Sequence, residues 1–141
     1  MSGEALTGVT TRVEVLYKGS PALDDDEITG FNDAVNMETR TTRALGRASE
    51  MKNQIVRGYT GRISIETRSD LGRQFCANYI AEVKAGIKPD VSIIETSTHP
   101  DTGQQVTRQW VIVTIEGMER DFSTGGNVTG TYSWSSEERI G

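Results

Sequence analysis

Three stretches of the chain alternate apolar and polar side chains residue by residue, a pattern that suits strands with one covered face. They read "VTTRVEVLYK" at 9–18, "GYTGRISIETR" at 58–68 and "VTGTYSW" at 128–134. Successive side chains of a strand point to opposite faces, so each stretch predicts a half-buried β-strand. Strands of this kind pair in antiparallel sheets that share one core.

One helix is predicted between the second and third of these strands. Ser69 or Asp70 can accept hydrogen bonds from its first amides, and Gly86 and Pro89 end it. Its apolar stripe consists of Leu71, Phe75, Tyr79 and Val83, with Cys76 and Ile80 beside them.

Further strands are predicted at 90–98 and 106–118, joined by a turn through "HPDTGQQ", and a short one at 31–37. Because "WVIVTI" at 110–115 is apolar on both faces, it predicts the central and most buried strand. The tail "EERIG" is expected to fray. We therefore expect a single domain over residues 1–141, mainly β with one α-helix: an antiparallel β-sandwich or small barrel with one flanking helix.

The segment at 24–57 has an unusual charge pattern and little apolar content. Residues 24–38 carry six acidic side chains and no basic one, and residues 39–57 carry five basic side chains against one acid. This composition predicts a long loop at about 19–57 that is poorly ordered in an isolated chain. Opposite charges can pair within one molecule or between copies, and from composition alone the two possibilities are equal.

Pairing between copies would join two different surfaces, which generates rings or open stacks. We expect Arg40, Arg43 and Arg47 to pair with the acidic cluster of a neighbouring copy. Met51 is added because it belongs to a weak apolar repeat with Leu45, Ala48 and Ile55. The predicted inter-subunit residues are Asp24, Asp25, Asp26, Glu27, Arg40, Arg43, Arg47 and Met51.

Catalysis has little support in the sequence. His99 is the only histidine and Cys76 the only cysteine. We expect His99 to be a solvated turn residue, and Cys76 to be a packing residue, because reactive thiols need exposed, electropositive surroundings. No enzymatic activity and no catalytic residue are therefore predicted.

Bound groups are not indicated either. The run "DDDE" lacks the alternating ligands and the glycine of a calcium loop, and no glycine-rich phosphate motif occurs. We therefore predict no metal site and no cofactor. The net charge of −5 disfavours tight binding of nucleic acid. No run of about 18 apolar residues occurs, so no membrane-spanning helix and no membrane partner are expected.

The elements that follow Arg57 have a recognisable order. They are a glycine-rich strand at 58–67, a helix at 69–85, a strand opened by proline at 89–96, a long strand at 106–117 and a last strand at 130–134. In this order and spacing the chain resembles the tail tube proteins of contractile-tailed bacteriophages, which are related to the tube proteins of type VI secretion systems.

The resemblance implies a structural virion protein, the subunit of a phage tail tube. Such proteins form six-membered rings that stack into a tube, through which the genome is ejected. The long segment between their early strands reaches an adjacent ring, which would give the 24–57 segment its place at a contact between copies. An acidic channel wall would repel phosphates and let DNA slide.

The resemblance also implies partners and a location. The partners are other copies of the chain, the tail sheath protein, and the baseplate and tail terminator proteins; DNA passes through the lumen without specific binding. The location is the phage tail of the virion, assembled in the host bacterial cytoplasm. Two alternatives stay open: the tube subunit of a type VI secretion system or another contractile injection particle, with protein as cargo, and a monomeric β-sandwich binding module.

Overall fold

The computed structural model describes residues 10–24, 27–42, 51–66, 70–121 and 128–141, which form nine strands and one helix. The helix, α1, spans Leu71–Lys84. The strands are β1 Thr10–Tyr17, β2 Ser20–Pro21, β3 Ile28–Thr42, β4 Met51–Glu66, β5 Val91–Thr98, β6 Gln105–Val111, β7 Thr114–Asp121, β8 Thr129–Ser136 and β9 Glu138–Ile140.

These strands form two sheets with antiparallel pairing throughout. The five-stranded sheet has the order β2-β1-β5-β6-β9, and the four-stranded sheet has the order β3-β4-β8-β7. Adjacent strands run antiparallel in both sheets. The expected fold class, mainly antiparallel β with one flanking helix, is confirmed.

The core lies between the two sheets and is dominated by aromatic rings. Trp110 of β6 and Tyr132 and Trp134 of β8 are each at most 2% exposed. The Phe31 ring of β3 stacks on the Trp134 ring with the centroids 5.7 Å apart. Buried side chains occur at every second position along β8, as its period of two predicts.

Helix α1 packs against both sheets through its aromatic residues. The Phe75 ring meets the Tyr17 ring of β1 edge to face, with the centroids 5.4 Å apart. The Tyr79 hydroxyl accepts a 2.9 Å hydrogen bond from the Ile115 amide of β7. The helix therefore connects β1 of one sheet to β7 of the other.

The N-terminus of α1 differs from the prediction in one detail. Asp70 occupies the N-cap position, but its side chain makes no capping hydrogen bond. Its carboxylate instead accepts hydrogen bonds of 2.6 and 2.7 Å from the Arg73 guanidinium, which holds the pKa of the Asp70 carboxyl below its usual value. Ser69, the other candidate cap, lies outside the described residues.

The apolar run at 110–115 is not one central strand. β6 ends in the five-stranded sheet at Val111, and β7 begins in the four-stranded sheet at Thr114. Ile112 between them has a φ of 52°, which helps turn the chain from one sheet to the other. Trp110 and Val113 are 0% and 1% exposed, whereas Ile112 is 59% exposed. The run is apolar because it crosses the core, and the prediction of a single strand is wrong.

The long loop expected at about 19–57 is largely strand. β2, β3 and the first part of β4 fall within it, and the β3–β4 ladder extends from Ile28 and Ile65 to Thr42 and Met51. Polar composition was misleading here because a ribbon exposed on both faces needs no apolar alternation. The tail is not frayed either: β9 pairs with β6.

Candidate assembly surfaces

The β3–β4 hairpin extends beyond the sheet to which it belongs. β4 pairs with β8 only from Tyr59 to Glu66, whereas its pairing with β3 continues to Met51. We term the extension, residues 37–42 and 51–57, the arm. Its six paired rows, at about 3.3 Å per residue, give it a length of about 20 Å.

A β-bulge at Arg57 marks the base of the arm. The register slips by one residue between Gly58 and Val56, so Arg57 has no residue opposite it. Gly58 has a φ of 154°, and a Cβ on it would lie 3.1 Å from the Ser136 carbonyl oxygen. A glycine therefore allows the arm to leave the sheet next to β8.

The arm exposes apolar side chains on both faces. Met37 and Val56 lie opposite each other in the ladder and are 56% and 51% exposed. Val35 shares their face and Ile55 lies on the other one, and both are also exposed. Contiguous apolar surface of this kind is typical of contact with another protein.

Glu38 of the arm pairs with Arg40 and Arg57. The Glu38 carboxylate contacts the Arg57 guanidinium and lies 3.5 Å from the Arg40 guanidinium. Composition left open whether the arginines pair within one molecule or between copies. In the single chain, Arg40 pairs within its own molecule. The Arg40 side chain is still 56% exposed, and an exposed pair is worth less than about 1 kcal/mol, so a change of partner on assembly would cost little.

The predicted acidic cluster is not a uniform solvated patch, because Glu27 is 0% exposed. Its carboxylate accepts a 3.4 Å hydrogen bond from the Asp24 amide. It also lies beside Gly72 in the first turn of α1, 4.0 Å from where a Cβ would be. That turn has no acidic residue of its own, so Glu27 is placed to stabilise the positive end of the helix dipole. In the single chain the Glu27 carboxylate is buried and not presented to a neighbouring copy, and its part in contacts between copies stays a prediction.

Most of the other predicted contact residues are not placed by the structure. Asp25, Asp26, Arg43 and Arg47 lie outside the described residues. Met51 is the first residue of β4, opposite Thr42 at the end of the described ladder. Their part in contacts between copies stays a prediction.

The four-stranded sheet ends in two open edges among the described strands. β3, with 15 residues, has β4 as its one neighbour, and β7, with 8 residues, has β8. On β7 the Ile115 amide donates a hydrogen bond to the Tyr79 hydroxyl of α1, but no strand pairs with this edge among the described residues. Open edges present backbone donors and acceptors on which another strand can pair.

The outward face of the same sheet is small and polar. The Asn32 side chain on this face accepts a 2.8 Å hydrogen bond from the Arg62 amide. The ladder places on this face Asn32, Ala34, Thr60, Arg62, Ser64, Glu66, Thr114, Glu119, Thr131, Ser133 and Ser135. These side chains form neither an aromatic platform nor a cluster of cations.

Cys76 and His99 contact different groups. The Cys76 sulfur lies 3.1 Å from the Tyr132 hydroxyl. The pKa of Tyr132 is raised, mainly because the hydroxyl is buried and to a smaller extent because of this hydrogen bond. His99 is exposed in the β5–β6 turn, where its amide donates to Gln104 and its carbonyl accepts from Gly103. No hydrogen bond joins Cys76 to His99 in the described part of the chain.

Across residues 10–24, 27–42, 51–66, 70–121 and 128–141, no three or more His, Cys, Asp or Glu side chains come together as metal ligands could. Within the same ranges, no helix combines the length and the apolar character needed to cross a bilayer.

Several solved structures share this fold. A chain in the cryo-EM structure of an extracellular contractile injection system, the PVC sheath/tube terminator in the extended state, matches with a TM-score of 0.65 at 10% identity, over 92% of this chain and 91% of that one. A chain in the extended PVC sheath-tube complex matches with 0.61 at 13%, over 92% and 86%. A chain in the tail of an empty gene transfer agent particle, computed with C6 symmetry, matches with 0.52 at 14%, over 89% of each.

The sequence itself gives no such match: no protein-family model and no curated protein matches it. At identities this low, the likeness to solved structures establishes the fold. The resemblance inferred from the order of elements is confirmed at that level, because this chain has the fold found in the sheath-tube assemblies of contractile injection systems.

Proposed function

We propose that this chain is a structural subunit, without enzymatic activity, of a phage tail tube that polymerises as stacked six-membered rings around a channel for genome ejection. The observation that carries the proposal is the arm, about 20 Å of paired ribbon beyond its own sheet with apolar side chains exposed on both faces. A two-stranded ribbon is marginal in water by itself, so a segment of this kind gains its packing from another molecule.

Ring formation would use the two open edges of the four-stranded sheet. The β3 edge of one copy pairs with the β7 edge of the next, and because these are different surfaces the contact repeats until the ring closes. We take six copies as the ring size because a tail with the same fold was computed with C6 symmetry. Closure removes the exposed edges that a single subunit leaves open.

The channel wall in this arrangement is the outward face of the four-stranded sheet. The five-stranded sheet and α1 cover its other face. This second layer would lie on the outside of the ring, because the larger radius there leaves more room for it. Charged side chains of both signs lie on the wall, including Arg62, Glu66 and Glu119. DNA would pass such a wall without specific binding, because the side chains described on it include no cluster of cations to hold phosphates.

The outer layer would then face the proteins that surround the tube. The matches to a sheath-tube complex and to a sheath/tube terminator support a sheath protein and a terminator as partners. A match to a chain in the baseplate of the anti-feeding prophage supports a baseplate partner. The subunit would be located in the phage tail after assembly in the host bacterial cytoplasm.

The first test removes the arm and leaves the core intact. Residues 38–55 are replaced by an Asn-Gly turn that closes the hairpin at Met37 and Val56. We expect the purified wild-type chain to form tubes in negative-stain electron micrographs, and the variant to stay folded but form none. Tubes of normal length from the arm-deleted variant would refute the proposal.

The second test addresses the predicted charge contact. Reversing Arg40, Arg43 and Arg47 to glutamate should abolish or sharply shorten the tubes, whereas replacing all three by lysine, the matched control, should preserve them. Equal tube lengths in the two variants would show that these charges do not join copies. For the absence of catalysis, replacing Cys76 and His99 together by alanine should leave assembly unchanged.

A second candidate function is the tube of a contractile injection particle with protein cargo. It is favoured by the two injection-system structures, whose TM-scores exceed that of the gene transfer agent tail. Nuclease-protected DNA in native particles would support the phage tail, and protein density in the channel would support the injection particle. A compact single subunit at all concentrations would instead favour a monomeric binding module.

A further inference from the structure

The corner between β6 and β7 holds an isoleucine in a backbone conformation that suits glycine or asparagine. Ile112 has a φ of 52°, in the left-handed region, where a β-branched residue is a rare outlier. Its side chain gains little packing in return, because at 59% exposure it is the most exposed of the large hydrophobic residues described. A strained residue that presents apolar surface to solvent is a reason to look for a function.

The structure gathers its exposed apolar residues at this same end. Lys88, after the end of α1, donates a 3.1 Å hydrogen bond to Thr114 at the start of β7, and the ladder places Thr114 in one row with Thr60 near the base of the arm. We term this region the arm end. The described large hydrophobic residues that are more than half exposed are Met37, Val56, Val83, Ile87, Ile112 and Ile140. All six belong to the arm, the end of α1 and the loop after it, the corner, or β9 beside β6.

Toward the opposite end, an apolar groove of about 460 Å³ runs between the first half of α1 and strands β7 and β8. Asp70, Arg73 and Arg120 stand at its rim. The apolar residues that line it are Ile65, Cys76, Ile80, Met118, Val128 and Tyr132. Of the side chains described at this end, Glu66, Asp70 and Glu119 are acidic, and Arg73 and Arg120 are basic. We term this region the groove end.

We propose that the arm end of one copy docks on the groove end of the next copy, with Ile112 entering the apolar groove beside Cys76. The inference rests on the proposed function and specifies the contact by which successive rings stack. Apolar surface meets apolar surface. Arg57 and Lys88, which share a cleft with Ile112 and Glu137, approach Glu66, Asp70 and Glu119 at the groove end. Because one copy carries both halves on different surfaces, the contact repeats head to tail.

Cross-linking tests the proposed neighbours directly, because Cys76 is the only cysteine of the chain. Tubes of an Ile112→Cys variant are treated with a short bismaleimide and run on a denaturing gel. We expect a ladder of dimers, trimers and longer species, since each copy would link through one thiol to the copy above and through the other to the copy below. Adding Cys76→Ser should remove the whole ladder, including the dimer, because the proposed contact then has only one thiol. Val106→Cys, at an exposed position beside the β5–β6 turn, is the matched control and should give no ladder.

Replacing Ile112 by asparagine separates stacking from folding. Ile112→Asn relieves the backbone strain, so the unassembled subunit should melt about 3 °C higher than wild type. The same variant should lose its apolar contact and reduce the mean tube length at least about tenfold, leaving rings or short stacks. A protein that is more stable and yet assembles less cannot be explained by misfolding.

The outcomes distinguish this inference from the proposed function. Tubes of the Ile112→Cys variant that give no ladder, or Ile112→Asn tubes of wild-type length, would overturn the docking of Ile112 and leave the tube itself standing. A wild-type chain that stays a single subunit at every concentration would overturn both.

Discussion

Gly61, in the part of β4 that anchors the arm, should not tolerate even a methyl group. A Cβ at this position would overlap the Asn32 carbonyl oxygen and lie 2.7 Å from the nearest Trp134 ring atom. Neither neighbour can move away easily. The carbonyl belongs to the backbone of β3, and the Trp134 ring is held between the Phe31 ring, 5.7 Å away, and the Trp110 ring, 5.5 Å away.

The magnitude of the effect follows from these contacts. Overpacking a core usually costs about 1–3 kcal/mol, and more where the obstacle is rigid. Because both obstacles at Gly61 are rigid, we expect Gly61→Ala to lower the free energy of unfolding by about 3 kcal/mol or more. For a domain of this size that loss corresponds to a fall of roughly 10 °C in melting temperature. Circular dichroism during heating and urea titration would measure it.

The matched control is Gly117→Ala in β7 of the same sheet. The nearest atom to a Cβ there is the Ser133 hydroxyl oxygen at 4.0 Å, an ordinary contact, so the free energy of unfolding should change by less than about 1 kcal/mol. If the Gly61→Ala and Gly117→Ala variants had the same melting temperature, the close approach of β3, β4 and Trp134 would be absent in solution. The placement of the arm, which is built on that approach, would then be wrong.

Two further predictions concern buried hydroxyl groups. Burial raises the pKa of Tyr132 above its unfolded value of about 10, so stability that is fully present below pH 10 is lost as the pH rises past it. In urea titrations between pH 10 and 12, Tyr132→Phe should lose stability less steeply than wild type, by up to about 1.4 kcal/mol per pH unit; parallel curves would contradict this. Tyr79→Phe should cost about 1–3 kcal/mol, because it leaves the Ile115 amide without its acceptor, and exchange of that amide measured by NMR should become faster.

The elements that could be predicted from the sequence are those with one face buried in the core and the other exposed to solvent. β1 and β8 alternate as expected, with Val15 and Trp134 each 1% exposed. Helix α1 spans Leu71–Lys84, close to the stripe and stop signals that predicted it. In each case burial on a single face imposes the period that the sequence displays.

The rest could not be predicted because the local pattern admits more than one arrangement. An apolar run has the same pattern whether it forms one buried strand or crosses between two sheets. The left-handed turn at Ile112 could not be predicted, because glycine is the usual sequence signal for such a turn and isoleucine occupies the position. Glu27 belongs to a run of acids that looks uniformly solvated, although the fold buries it beside the first turn of α1. Both are set by contacts with residues distant in the chain.

The arm raises a question of energetics that the core cannot answer. Its described contacts include the ladder itself, the exposed Met37–Val56 pair, and a 3.4 Å hydrogen bond from the Gln54 side chain to the Thr39 hydroxyl. They also include the ion pairs of Glu38, which contribute less than about 1 kcal/mol each. Contacts this weak add little to the stability of the subunit, and in the proposed assembly the arm would gain further stability from the surfaces of other copies. Folding and assembly are therefore separable: changes within 37–42 and 51–57 should alter assembly while the melting temperature stays constant, whereas a change at Gly61 alters both.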